Sequence, residues 1–487
     1  MRKVPLLVAT GAMLGLVAGT ADASRLVDIE GNPASVTGTG LTNTPDGFIG
    51  TGSPATGAQG LEGETATPWS KPKPGTINMR INLFVNEFPM AAWWSGMNGN
   101  GTPKANAGNK QQPFGIWGYI RIDLGIDGQT RNGIKYGAFT EIRENNTTNV
   151  TGGTTSVSGG FGQSASADSS GNTLYVRHAN VYLGTDQLGF LRIGTAVGAD
   201  NLLETGLNDD FGIGWVNLTN STSVPNNINP VWPWADAGAE YMAARIAYAS
   251  PVIDGFDGVI SFAPNNSTPF DGSGCSQPYG GVGCATQSSS TLAGDIGRFR
   301  NQLSMGLRYR NAWGPVGVAV AGIWTVSGKV NAVGPQQFNG QNIGNVGAQV
   351  TFNHYASVGG NVMWGAFNGA WGLQPVGGAT AIAWTVGGKY TIPEAPITFG
   401  VNYYSYKYQG DSTPANGTNL TQRVSQGLDV AASYGLGPGV VLLAEYAWGQ
   451  NYQGNFNFLT NNAAGTNIHA NNKVWAQILT AGMSVRF

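Results

Sequence analysis

The stretch VWAQILTAGMSVRF, Val474 to Phe487, decides how the rest of the chain is read. Trp475, Gln477, Leu479, Ala481, Met483, Val485 and Phe487 share one parity and form a mostly apolar stripe that finishes on an aromatic ring. Residues two apart share a face only in an extended strand, whereas a helix aligns residues three and four apart. The same period of two runs through earlier segments. TINMRINLFV sets Ile77, Met79, Ile81, Leu83 and Val85 against Asn78, Arg80 and Asn82. FGIWGYIRIDL sets Phe114, Ile116, Ile120, Ile122 and Leu124 against Tyr119, Arg121 and Asp123. NQLSMGLRYR sets Leu303, Met305, Leu307 and Tyr309 against Gln302, Ser304, Arg308 and Arg310, and NVGAQVTFN repeats the pattern with Val346, Ala348, Val350 and Phe352. Each such segment is a strand with two different environments on its two faces.

A soluble sandwich shows the same alternation, so the number and spacing of segments carry the argument. Sixteen candidate strands begin near Thr76, Pro113, Gly133, Thr173, Phe190, Glu240, Asp257, Asn301, Pro315, Ile343, Ser357, Ala379, Ile397, Gln422, Gly439 and Val474. Fourteen and eighteen are the neighbouring even counts. The connections alternate. Short ones include Asp127-Gly128, TDQLG, SPVIDGFDG, NAWGP, NHYAS, IPEAP and GLGPG; long ones include 87–112, 145–172, 195–239, 264–300 and 451–473. Short turns at one end and long loops at the other, with an even strand count, are how outer-membrane barrels are built. The expected fold is all-β: a 16-stranded antiparallel transmembrane β-barrel over residues 76–487.

Composition agrees with an oily environment. Hydrophobic residues are 41% of the chain and charged residues 11%, against roughly 25% charged in soluble domains. No run approaches the ~20 apolar residues of a transmembrane helix. In hydrocarbon an unpaired backbone group costs several kcal/mol, so strands must close into a ring. Parity then sorts side chains between lipid and lumen. An outward arginine near mid-membrane costs about 2–4 kcal/mol, so Arg80, Arg121, Lys135, Arg143, Arg192, Arg245 and Arg308, all on polar parity, are expected inward. The inward positions read as mostly Asn, Gln, Ser, Thr, Gly and Arg, which suits a lumen of water, and sixteen to eighteen strands leave an aqueous channel. Tyr309, Trp364, Trp384, Tyr390, Tyr403, Tyr434, Tyr446, Trp448 and Trp475 fall on outward parity, often toward strand ends, as interfacial girdles require.

Residues 1–23 read as a secretory signal peptide: Arg2 and Lys3, an apolar run from Val4 to Gly19, and Ala21-Asp22-Ala23 before the cut. Its loss leaves 23 basic and 26 acidic residues of the chain's 25 and 27, with no basic excess to suggest nucleic acid. Residues 24–75 are rich in Gly, Thr and Pro and read as a flexible extension. Cys275 and Cys284 lie in GCSQPYGGVGC, where an exported chain would form a loop disulfide or keep two thiols. His178, His354 and His469 sit in no arrangement suited to nucleophilic or metal chemistry, so no enzyme, metal or cofactor is expected.

Two features carry a family resemblance. The terminal strand with its final Phe487 looks like the signal by which the barrel-assembly machinery recognises outer-membrane barrels. ARIAYASPVIDGFDGVISFAP resembles the strand–turn–strand that follows the long third loop in general Gram-negative porins, and VRHANVYLGTDQLGFLRIGTAVG resembles the pair before it. In that family the residue after the exit glycine is Arg or Gln, and here Thr195 follows Gly194. The resemblance implies an outer-membrane homotrimer that passes ions and small hydrophilic solutes by diffusion. It also implies that the segment 195–239 folds inward and narrows the pore. The acidic side of that constriction would be Asp200, Glu204, Asp209 and Asp210, which could equally be solvated loop charges; the basic side would be Arg80, Arg121, Lys135, Arg143, Arg192 and Arg245. Opposed charges in a narrow throat would filter ions and orient dipolar solutes. Trp215, Trp232 and Trp234, with Trp93 and Trp94 in the first loop, leave open a carbohydrate-preferring channel, or else pack the loops to the wall. A surface adhesin is the third reading, and it would have a filled interior.

Overall fold

A computed structural model describes residues 72–97, 113–145, 174–207, 228–234, 244–265, 299–329, 337–353, 355–369, 371–393, 395–410, 421–437, 440–459 and 471–486. These contain β1 (Thr76–Trp94), β2 (Phe114–Gln129), β3 (Lys135–Asn145), β4 (Tyr175–Thr185), β5 (Gly189–Thr195), β6 (Ala244–Ala249), β7 (Phe256–Asn265) and β8 (Phe299–Trp313). They continue with β9 (Val316–Lys329), β10 (Asn342–Phe352), β11 (Ala356–Ala366), β12 (Ala381–Thr391), β13 (Ile397–Tyr408), β14 (Arg423–Gly437), β15 (Val440–Gln453) and β16 (Lys473–Arg486). A short helix, α1 (Ala199–Leu202), follows β5. Each strand pairs antiparallel with its sequence neighbours, and β1 pairs with β16 to close the barrel. At the seam Phe84 lies opposite Arg486 and Trp94 opposite Ala476. Closure leaves no strand edge, which is what a lipid solvent demands of a sheet. The strand count and the alternation of short and long connections are those expected from the sequence.

Burial follows parity with the sign reversed from a soluble protein. Ile77, Met79, Ile81, Val181, Leu183, Val346, Val358, Val362, Leu479 and Met483 are exposed, while Asn86, Asp123, Gln302, Ser304, Asn345, Asn361, Thr385 and Ser484 are buried. A soluble fold places these residue types the other way round. Phe256, Tyr390 and Tyr434 are exposed near the short-turn ends of their strands, and Trp324, Trp364, Trp384 and Trp475 near the long-connection ends.

Two expectations change. Asp127-Gly128 is not a turn: both residues continue the ladder, with Gly128 opposite Tyr136. The Asp127 carboxylate accepts the Tyr182 hydroxyl at 2.6 Å inside the barrel. The chain reverses instead at 130–134, where Gly133 supplies φ +88° and its N–H donates to the Thr130 carbonyl. Between β6 and β7, by contrast, Asp254 and Gly255 do make a two-residue hairpin, with φ of 50° and 87° and reciprocal Ile253–Phe256 hydrogen bonds.

The second change concerns the inner face, which is not uniformly polar. In the upper half of β1 the inward side chains are Phe88, Met90, Ala92 and Trp94. They pack with Ile228, Phe456, Phe458, Leu459 and Ile478 into an apolar cluster within the barrel. A second cluster joins Tyr404, Tyr406 and Tyr408 of β13 to Leu207, Trp232, Trp234, Phe367 and Trp371. Connecting segments therefore find dry anchors on the wall, and these inward positions read as apolar because they meet protein rather than water.

Candidate functional site

The inner wall gathers charge in three places on the β2–β8 side. Antiparallel register sets Asp123 opposite Glu141 and Glu141 opposite His178, all on inward parity. Arg121 Nε lies 3.1 Å from Asp123 Oδ1 and its Nη2 3.9 Å from Glu141 Oε2, with His178 Nε2 3.7 Å from that same oxygen. Nearer the short turns, Lys135 Nζ donates to both Asp186 oxygens at 2.7 Å. The next group spans β5, β6 and α1. Arg192 Nη2 donates to the Val197 carbonyl at 2.7 Å, and Arg245 Nη1 lies 3.8 Å from Asp200 Oδ1. The third joins β7 and β8, where Asp257 takes a two-pronged contact from Arg308 at 2.8 and 3.2 Å and lies 3.5 Å from Arg310 Nη2. Two guanidinium groups share this one carboxylate.

About half a turn round the ring from β6 and β7, the charge is mixed. Asp429 of β14 and Glu445 of β15 are buried on inward parity, with Asn402 opposite the first and Thr480 opposite the second. Arg423 of β14 and Lys389 of β12 share that inward parity, so the β12–β15 wall carries both signs, while the β5–β8 wall is rich in arginine.

The connection between β5 and β6 touches strands far from its own ends. The Ala199 and Asp200 N–H groups donate to Ser261 and Ser304 hydroxyls of β7 and β8, at 3.2 and 3.0 Å. Asn361 of β11 donates to the Thr205 carbonyl at 3.0 Å and accepts Trp234 Nε1 at 2.7 Å. Asn402 of β13 donates to the Leu207 carbonyl, and Asn451 of β15 to those of Ile228 and Asn229, both at 3.0 Å. Glycine makes the approach possible: a Cβ on Gly347 would collide with the Thr205 carbonyl, and Gly206 adopts φ +82° against the Ala348 and Gly360 carbonyls.

The expected site residues fall into groups. Arg121, Lys135, Arg192 and Arg245 are buried on the inner wall, and Asp200 and Glu204 are buried too. Arg80 and Arg143 occupy inward positions of β1 and β3, and their side chains lie outside what is described. Asp209, Asp210, Trp215, Cys275, Cys284 and Phe487 lie outside the described residues. Trp232 and Trp234 are fully buried, their rings 4.4 Å apart and 5.0 and 6.4 Å from Tyr404. Trp93 and Trp94 end β1 rather than belonging to a loop, one facing out and the other in. Asp257, Arg310, Asp429 and Glu445 were not among the expected site residues, although inward parity alone would have found them. Among the described residues no group of His, Cys, Asp and Glu could hold a metal ion.

Comparison with known proteins places this architecture. A family model described as Gram-negative porin matches residues 90–454. No curated protein sequence matches the chain. Among solved structures, the anion-selective porin from Comamonas acidovorans is similar with a TM-score of 0.50 and 14% identity, over 85% of this chain and 100% of that one. A triple mutant of the Rhodopseudomonas blastica porin aligns with a TM-score of 0.47 at 12% identity, over 84% of this chain and 100% of that one.

Proposed function

Because the chain belongs to the Gram-negative porin family, we propose that it is a general diffusion channel in which the β5–β6 connection narrows a hydrated lumen. It is an outer-membrane barrel of sixteen strands and a channel protein, not an enzyme. The observation that carries the finer reading is the path of the connecting segment. Its contacts run from Ser261 on β7 to Asn451 on β15, all on inward parity. A strap outside the barrel could not reach them, which supports an inward-folded third loop.

Ions and small hydrophilic solutes then pass along the arginine-rich wall without energy input. Asp429 and Glu445 lie across the lumen with Lys389 and Arg423, and Asp200 faces Arg245, so this loop acid partly neutralises the basic wall. Asp209 and Asp210 would add to that effect. A carbohydrate-preferring channel is less favoured, since Trp232 and Trp234 are fully buried against each other and Tyr404 rather than open to a solute path. The family resemblance supports a homotrimer and assembly through Phe487, and the character of residues 1–23 supports export by a signal peptide cleaved before the extension 24–75.

Planar-bilayer recording tests the reading. Purified protein should give ohmic steps with a nonzero reversal potential in a salt gradient. Arg121→Ala combined with Arg143→Ala should move that potential toward cation preference. Absence of any current from folded, inserted protein would overturn the channel reading; an unmoved potential would remove these two arginines from the ion path.

A further inference from the structure

His178 stands where β4 breaks its period of two. Glu141 of β3 lies opposite His178, yet Ile142 lies opposite Val176, so Arg177 is an extra residue in the ladder. Parity records the break. Val176 and Val181 both face outward, at 58% and 54% exposure, although five residues separate them. A regular strand sends such a pair to opposite faces. The bulge therefore keeps apolar side chains outward above and below it while His178 turns into the barrel. Bulges serve to re-aim a side chain in this way, and they gather beside functional sites.

What the imidazole meets there is charge. Its Nε2 lies 3.7 Å from Glu141 Oε2, and that oxygen lies 3.9 Å from Arg121 Nη2. Asp123 on β2 holds the other side of Arg121, and Arg143 is opposite Arg121 on the inward row above. On the inward row below, Asn180 of β4 is opposite Gly194 of β5, and Gly194 is opposite Arg245 of β6, which lies 3.8 Å from Asp200 of α1. Carboxylates and guanidiniums ordinarily keep their charge between pH 5 and 8, whereas imidazole is the side chain that gains one there. Of the chain's three histidines, His178 is the one among the described residues. We infer that His178, set against Glu141 by the bulge, is a proton-sensitive selectivity residue of the channel. Its protonation adds one positive charge to the wall of β2 to β4, which adjoins the arginine-rich wall at β5, and passage turns toward anions as the pH falls. The inference rests on the diffusion-channel reading and gives it a dependence on pH.

Planar-bilayer recording in a gradient of dilute potassium chloride, with the same pH on both sides, tests it. The anion-to-cation permeability ratio of the wild type should rise about fourfold between pH 8 and pH 5. That is the weight of one unit charge at about 10 Å in water, acting with opposite sign on the two ions. His178→Gln should hold the pH 8 ratio at both pH values, and His178→Lys should hold the pH 5 ratio. Glu141→Gln should raise the ratio at both and keep the step, and His354→Gln combined with His469→Gln should also keep it. Heat-modifiable gel mobility shows which variants fold, and His178→Gln decides alone where His178→Lys does not. A wild type without the step, a step that survives in His178→Gln, or a ratio unmoved by Glu141→Gln would overturn the assignment. Folded wild type that passes no current at either pH would overturn the channel reading and this inference with it.

Discussion

Asn361 is the side chain through which the inner wall holds two distant parts of the β5–β6 connection at once. Its amide nitrogen donates to the Thr205 carbonyl at 3.0 Å, and its oxygen accepts Trp234 Nε1 at 2.7 Å. Replacing it by leucine keeps the volume and removes both bonds. Thr205 and Trp234 are buried, so neither group regains a partner unless the segment leaves the wall. A buried polar group left without its partner costs about 1–3 kcal/mol. Two such groups at the low end of that range give about 2 kcal/mol, a roughly thirtyfold rise in the fraction of time that the segment is detached. Hydrogen exchange of residues 199–207 in the detergent-solubilised barrel reads this directly, and the same motion should appear as open-channel current noise. Val362→Ala, one residue along on the outward face, changes neither contact and serves as the control. Exchange and noise in Asn361→Leu that match the wild type would refute the tether.

Other parts of the wall give sharper electrical and stability tests. Asp257→Asn leaves Arg308 and Arg310 facing a neutral amide; breaking such a buried pair costs about 3–5 kcal/mol, to be seen as a lower urea midpoint, with the reversal potential moving toward anions. Arg192→Ala combined with Arg245→Ala should move the potential toward cations, and an anionward shift would place those groups off the ion path. Val346→Arg, outward and mid-strand on β10, should destabilise the protein folded in vesicles by about 2–4 kcal/mol, whereas a loss below ~1 kcal/mol would put that face outside the hydrocarbon. Removing Phe487 should slow appearance of the heat-modifiable folded form in cells while leaving conductance per channel unchanged.

What was legible in the sequence was everything that depends on parity. A strand in lipid has only two faces, so the alternation in TINMRINLFV or VWAQILTAGMSVRF specifies which side chains meet oil, and sixteen such segments specify a ring. The placement of Arg121, Arg192 and Arg245 followed from the same rule, because an outward guanidinium is too costly. Long-range packing was not legible. The inward Phe88, Met90 and Trp94 of β1 face protein because residues from the β15–β16 connection, Phe456 and Phe458, pack against them. Nothing local to NEFPMAAWW announces those partners, and its alternation reads as weak for that reason. Trp232 and Trp234 are the same problem seen from the loop. An aromatic pair in a connecting segment can face a solute or a wall, and only the three tyrosines at 404, 406 and 408 decide it. Their spacing of two on inward parity could have been read as a warning. A water-lined strand has no use for three consecutive inward rings, so such a ladder implies a segment folded against it, and the longest connection in the chain was the one available to do so.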